Sequence, residues 1–246
     1  IIVHGLGEYT DRYSHVVDYF NTHYSVYIYD QRGYGRSEGT RAHVDRFNDY
    51  VEDLKLFVQM VKKRESGQKI FILGHSMGGQ VLLNYLGQNP RVNFAGVITS
   101  SPNIKLAFEV GPIKKFLALK LSKYMPKLRL PSDVDPKWVS HDPKIVKGYL
   151  SDPLVIRSVT VNLGKEVLLN QESILENAAK IKQPILMLHA GDDHICSEEG
   201  THDFFAKLSS TDKQKKIYPG FYHEILNEVE KEKPLRDIKK WVGARA

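Results

Sequence analysis

The chain has 246 residues, 41% hydrophobic and 26% charged, with a formal net charge of +6 at pH 7. That length suits one large domain, or one domain carrying an insertion, and no apolar run approaches the roughly 20 residues that span a bilayer. The single cysteine, Cys196, excludes an intrachain disulfide framework and offers no metal cage, and no nucleic-acid recognition motif accompanies the positive charge.

The chain begins at Ile1 rather than Met, directly in a strand-like run at 1–3, which points to residues and any targeting signal lost ahead of it. A second strand-like run follows at 26–29. Residues 47–64 then place Tyr50, Val51, Leu54, Phe57, Val58 and Val61 on one helical face. Strand 70–73, helix 77–86 and strand 94–99 come next, each bounded by Gly, Asp, Ser or Pro. Such alternation predicts an α/β fold, a mostly parallel sheet flanked by helices on both sides.

The alternation stops after Pro102. Prolines 112, 126, 131, 136, 143 and 153 punctuate short helical pieces with no strand pattern, which predicts an inserted helical cap over 103–170 between core segments 1–102 and 171–246. Within it, residues 113–128 place Ile113, Phe116, Leu117, Leu121, Tyr124, Met125 and Leu128 at helical spacing, with Lys114, Lys115, Lys120, Lys123 and Lys127 interleaved. Two readings fit: an apolar face packed on the core with solvated lysines, or an interfacial helix resting on anionic lipid. The core pattern resumes with a helix at 171–180, strand 185–188, helix 198–208 and strand 216–218.

The most specific local signal is Gly74-His75-Ser76-Met77-Gly78, set between an apolar strand and a helix. A tight strand-to-helix turn of this kind lifts one serine oxygen above a sheet, and its small residues relieve crowding around a strained serine backbone. A phosphate loop would require Lys and Ser or Thr after the last glycine, whereas Gln80 and Val81 follow here. The turn points to a hydrolase.

A serine hydroxyl needs a base, and the base an orienting acid; with this turn the chain order is Ser, acid, His. After strand 185–188 comes His189-Ala190-Gly191-Asp192-Asp193-His194, and after strand 216–218 comes Tyr218-Pro219-Gly220-Phe221-Tyr222-His223. Both loops lie at strand ends and can reach Ser76. Asp193 is favoured over Asp192 because the apolar Ile195, two residues on, anchors the loop with Asp193 inward. His194 lies too close to the acids in sequence, His202 lies in a helix, and His75 should point away from the serine. No metal-ligand spacing such as HExxH is present. The oxyanion donors are expected from the Met77 amide and, in the loop His4-Gly5-Leu6-Gly7-Glu8, from Leu6.

Together, His4-Gly5-Leu6-Gly7-Glu8 with Arg12-Tyr13, Tyr29-Asp30-Gln31-Arg32-Gly33-Tyr34-Gly35-Arg36-Ser37, Gly74 to Gly79, Tyr149-Leu150-Ser151-Asp152-Pro153-Leu154, and the late Asp193 and His223 loops resemble the monoacylglycerol lipases of the α/β-hydrolase fold. The resemblance runs through nearly the whole chain. It implies hydrolysis of monoacylglycerols to glycerol and fatty acid without a cofactor, with Ser76, Asp193 and His223 as triad and the Leu6 and Met77 amides as oxyanion hole. Glu8, Arg12 and Tyr149 fall where the family receives glycerol, although Glu8 and Arg12 also have the spacing of an i,i+4 ion pair. The motif of Asp30, Arg32, Gly33, Gly35 and Ser37 reads as a scaffold turn.

Leu226 stands where some of these lipases carry a second histidine, and the early strands expected before His4 are missing. Cys196 falls where some relatives carry a cysteine, which raises thiol-sensitive inhibition as a hypothesis beside a buried apolar role. The expected partner is a lipid ester, with peripheral membrane contact through the basic cap and a cytoplasmic or membrane-surface setting. The rivals are a lysophospholipase or broad carboxylesterase on the same residues, an aminopeptidase, and a catalytically silent interaction module.

Overall fold

Strands buried on both faces need helices above and below, and the computed structural model shows that arrangement. It describes the backbone of residues 1–246 and the side chains of all but 112–117. In chain order, β1 (Ile2–Val3), α1 (Ser14–Phe20), α2 (Asn48–Arg64), β2 (Phe71–His75), α3 (Met77–Gln88) and β3 (Gly96–Ser100) open the chain. Next come α4 (Pro112–Tyr124), β4 (Arg129–Pro131), α5 (Pro143–Ser151), β5 (Ser158–Thr160) and α6 (Val161–Ile174). The chain ends with β6 (Ile185–Ala190), α7 (Glu198–Lys207), β7 (Lys213–Tyr218) and α8 (Glu232–Gly243). The main sheet runs β1-β2-β3-β6-β7 with every pair parallel.

Successive strand residues alternate between the two faces. Ile72, Val97, Ile185 and Met187 pack with Leu54 and Val58 of α2 and Leu82 and Leu86 of α3. Their neighbours Leu73, Ile98, Leu186 and Leu188 pack with Val16 of α1 and with Leu235, Ile238 and Trp241 of α8. A third cluster, Tyr9, Val139, Tyr149, Val155, Ile195 and Cys196, joins segments 139–155 to the loops at the sheet's C-terminal edge.

Three sequence expectations need correction. The run at 26–29 is no strand, since only Ile28 bridges to Ile2 and the two-residue β1 offers no ladder. The region expected to lack strands contains the antiparallel pair β4–β5, with Leu130 opposite Val159; at three residues each, these strands are too short to show alternation. The helix expected at 171–180 begins earlier, at Val161, where Thr160 Oγ1 caps it by accepting from the Leu163 amide at 3.2 Å, and residues 175–180 continue as a 3-10 helix. Of the basic amphipathic stretch, Ile113, Lys114, Lys115, Phe116 and Leu117 lie outside the described side chains. Leu121 is half-buried, while Leu119, Tyr124 and Met125 are exposed.

Candidate active site

Ser76 stands alone between the end of β2 and the start of α3, at φ 51° and ψ −121°. That conformation costs a non-glycine residue about 1–3 kcal/mol. Three backbone bonds hold it: Ser76 N donates to Ser100 O, and the amides of Gln80 and Asn103 both donate to Ser76 O, each at 3.0 Å. The flanking glycines are forced by contact. A Cβ on Gly78 would lie 2.2 Å from the Val3 carbonyl oxygen, and one on Gly74 2.7 Å from the Gly78 carbonyl oxygen.

The loops after β6 and β7 bring Asp193 and His223 to this turn. His223 Nδ1 lies 2.8 Å from Asp193 Oδ2, and His223 Nε2 lies 2.9 Å from Ser76 Oγ. An ionised carboxylate only accepts, so Nδ1 carries the proton and Nε2 accepts from the serine hydroxyl. Asp193 Oδ1 accepts from the amides of Ile195 and Cys196 at 2.9 Å each, which aims the carboxylate inward. Burial would raise the Asp193 carboxyl, but the His223 charge and hydrogen bond, together with His189 and the Cys196 amide, bring it below its ordinary value. Burial lowers His223, and Asp193, Glu224 and Glu8 outweigh that and leave it above the usual imidazole value. Asp192 instead pairs with His194 at 3.1 Å, half-exposed and away from the serine.

His75 does not point away, contrary to the expectation drawn from the turn. It is the last residue of β2, and strand alternation sends its ring to 4.9 Å from the His223 ring centroid. Its Nδ1 donates to Ser100 O at 3.0 Å, and burial lowers its pKa to about 4, so it stays neutral at pH 7.

The Leu6 loop is fastened at both ends. Gly5 N donates to Glu8 Oε2 at 2.8 Å, and the Ile156 amide donates to Gly7 O at 2.9 Å. His4 Nε2 accepts from Gln31 N at 2.9 Å, and Gln31 Nε2 donates to His4 O at 2.7 Å, which ties the loop to the turn that starts at Asp30. Asp30 organises that turn by accepting from Thr10 N and Arg36 N. Met77 is the first residue of α3, so its amide has no intrahelical partner. Leu6 and Met77 both line a cavity of about 300 Å³ above Ser76.

Most of that cavity's wall is apolar: Phe108, Val110, Leu121, Leu163, Val167 and Leu168 contribute. Glu8 and Tyr149 line its polar end. Arg12 is not among the lining residues; its Nε donates to Glu8 Oε1 at 3.0 Å, and its guanidinium lies 5.4 Å from the Tyr149 ring centroid. The i,i+4 ion pair therefore exists, and Tyr13 adds a hydroxyl donor to Glu8 Oε2 at 2.8 Å. Burial would raise the Glu8 carboxyl, whereas the His75 imidazole, which is charged only at such low pH, the Arg12 guanidinium and the Tyr13 hydroxyl bring it down to about 2. Glu224, which the sequence reading missed, also lines the cavity and pairs with Arg12 Nη2 at 2.5 Å. The available signal was a charge directly after His223 in an otherwise apolar run. Cys196 is buried on the wall, its thiol pushed well above the ordinary value by burial.

A parallel sheet with helices on both faces, a strained serine between strand and helix, and His and Asp on later strand-end loops define an α/β-hydrolase. The family model Hydrolase_4, described as "Serine aminopeptidase, S33", matches residues 1–230. Human monoglyceride lipase is 33% identical over 250 aligned residues, covering 99% of this chain and 82% of that protein. The crystal structure of a Paleococcus ferrophilus monoacylglycerol lipase superposes with a TM-score of 0.88 at 33% identity, covering 100% of this chain and 93% of that one. An uncharacterized abhydrolase domain-containing protein of Dictyostelium discoideum is also 33% identical over 99% of this chain, which spans only 26% of that protein's length. The chain belongs to the Hydrolase_4 family and, within it, to the monoacylglycerol lipase family.

Proposed function

We propose that the chain hydrolyses the ester of monoacylglycerols to glycerol and a free fatty acid through an acyl-enzyme on Ser76. The observation that carries this reading is the continuous hydrogen-bond chain Ser76–His223–Asp193 opening on an apolar cavity with a small polar end. His223 Nε2 takes the Ser76 proton as Oγ attacks the ester carbonyl, and Asp193 stabilises the imidazolium through Nδ1–H. The Leu6 and Met77 amides receive the oxyanion, each worth about 3 kcal/mol at the barrier. The glycerol oxygen leaves with the proton from His223, water adds through the same base, and the fatty acid departs.

The apolar wall receives the acyl chain, and residues 103–170 serve as the cap above it. Exposed Leu119, Tyr124 and Met125, with Lys123 and Lys127 nearby in sequence, favour a cap that rests on a lipid surface and collects substrate there. Among the described residues no helix is long and apolar enough to cross a membrane.

Two experiments test the reading. Fluorophosphonate labelling that is lost in Ser76→Ala supports the serine nucleophile, whereas a wild-type chain that never labels supports a silent interaction module. A panel of monoacylglycerol, lysophosphatidylcholine, short esters and an amino-acid amide then separates the substrate classes. Poor turnover of monoacylglycerol beside rapid turnover of another class would replace the lipase reading with a lysophospholipase, a broad carboxylesterase or an aminopeptidase.

A further inference from the structure

The polar end of the cavity contains a carboxylate whose two oxygens are used unequally. Glu224 is 4% exposed and lines the cavity beside His223. Its Oε2 is used twice, accepting from Arg12 Nη2 at 2.5 Å and Asn227 Nδ2 at 2.9 Å. Both of those bonds fall on Oε2, no described residue donates to Oε1, and with Glu224 on the cavity lining that oxygen is free to face the cavity. Glu8 differs, because Arg12 occupies its Oε1 and Gly5 N and Tyr13 its Oε2. Tyr149 lies on the same wall, and no described residue hydrogen-bonds its hydroxyl.

Charge adds a second constraint. Two carboxylates, Glu8 and Glu224, face one guanidinium, Arg12; burial pushes the Glu224 carboxyl up against the pull of Arg12, and with both carboxylates ionised this end carries a formal charge of −1. Among the described residues no lysine or arginine lines the cavity. A hydroxyl that donates to the open oxygen replaces water with a charge-assisted hydrogen bond. A phosphate brought to the same place would meet one more carboxylate than guanidinium in a low-dielectric site.

We infer that Glu224 selects the head group: its open Oε1 accepts from a hydroxyl of a neutral polyol ester, beside Tyr149, and its charge turns away esters whose head carries a phosphate. This rests on the monoacylglycerol reading and specifies the head group within it. Arg12 and Asn227 act through Glu224 by holding Oε2 and so aiming Oε1.

The test compares 1-octanoylglycerol with 1-octanoylglycerol 3-phosphate, which share the acyl chain and the scissile ester, in wild type, Glu224→Gln and Glu224→Asp, with melting curves to establish folding. Wild type is expected to favour the neutral ester by ~100-fold or more in kcat/KM, and Glu224→Gln to narrow that ratio by about tenfold or more, with a raised KM for the neutral ester. Glu224→Asp keeps the charge with shorter reach, so it should still reject the phosphate while its KM for the neutral ester rises. Should Glu224→Gln not fold, Glu224→Asp decides alone, an unchanged KM overturning the inference. Equal turnover of both esters by wild type, or a Glu224→Gln ratio like that of wild type, also overturns it and leaves the lipase reading standing. A wild type that labels with fluorophosphonate yet cleaves neither ester removes the lipase reading itself.

Discussion

The backbone amide of His223 donates to the carbonyl of Trp138 at 3.3 Å, so the proposed general base and the segment over the cavity share a hydrogen bond. The next pair repeats the contact, Glu224 N donating to Val139 O at 2.9 Å. Aromatic stacking reinforces it: Trp138 lies on His194 with centroids 3.6 Å apart and meets Tyr222 edge-on at 5.1 Å. His194 and Tyr222 are the immediate neighbours of Asp193 and His223. Trp138 therefore clamps both loops that supply the proposed triad.

Trp138→Ala should loosen that clamp without touching the serine turn. Loss of the ring contacts is expected to cost about 1–2 kcal/mol, or ~2–8 °C in Tm for a chain of this size. The loops carrying Asp193 and His223 then wander, so kcat should fall while the protein stays folded. Calorimetry and steady-state kinetics check this, and a variant with unchanged kcat would show that the stack serves stability alone.

The charge around His223 sets the pH profile. Only the neutral imidazole can accept the Ser76 proton, and burial's lowering of its pKa is outweighed by Asp193, Glu224 and Glu8. As pH falls through that raised value the base is protonated, so the acid limb of kcat/KM should lie above the ordinary imidazole value of 6.5. Asp193→Asn removes the carboxylate that fixes Nδ1–H and should reduce kcat by about 10³- to 10⁴-fold. It should also move the acid limb to lower pH. A pH–rate series on both proteins measures the two effects, and a limb that stays in place would remove Asp193 as the orienting acid.

The strain at Ser76 is a stability cost that a glycine would not bear. At φ 51° a side chain is disfavoured, and glycine adopts that region freely. Ser76→Gly should abolish fluorophosphonate labelling yet melt above Ser76→Ala, which keeps a Cβ, by ~2–4 °C for a gain of about 1 kcal/mol. Equal melting temperatures for the two variants would mean that the surrounding turn, not the residue, bears the strain.

What the sequence made legible follows from how local the physics is. The serine turn could be read because its glycines answer to contacts within the motif and with β1, and the order Ser76, Asp193, His223 follows from successive strand-end loops. Glu224 could not be read that way, since its role depends on Arg12, 212 positions earlier in the chain. The direction of His75 is not legible from the turn motif, because the ladder extends through His75 to Ser100 and one extra strand residue reverses the direction of a side chain. The β4–β5 pair is not legible either, because three residues cannot display a period.

Gly164 offers a test of where the acyl chain lies. It sits in the first turn of α6 and lines the cavity, and a Cβ built there would meet only Val159 Cγ2, at 3.9 Å. The space beyond it is open, so a larger side chain can enter the cavity without displacing backbone. Gly164→Leu should shorten the accessible pocket while improving local helix propensity, leaving Tm unchanged or slightly raised. Long acyl chains would then lose binding surface at about 0.8 kcal/mol per methylene excluded, so excluding two methylenes lowers the long-to-short ratio of kcat/KM by ~10-fold. Initial rates on a series of monoacylglycerols of increasing chain length measure this, and an unchanged chain-length profile would place the acyl group along a different wall from the one lined by Gly164, Val167 and Leu168.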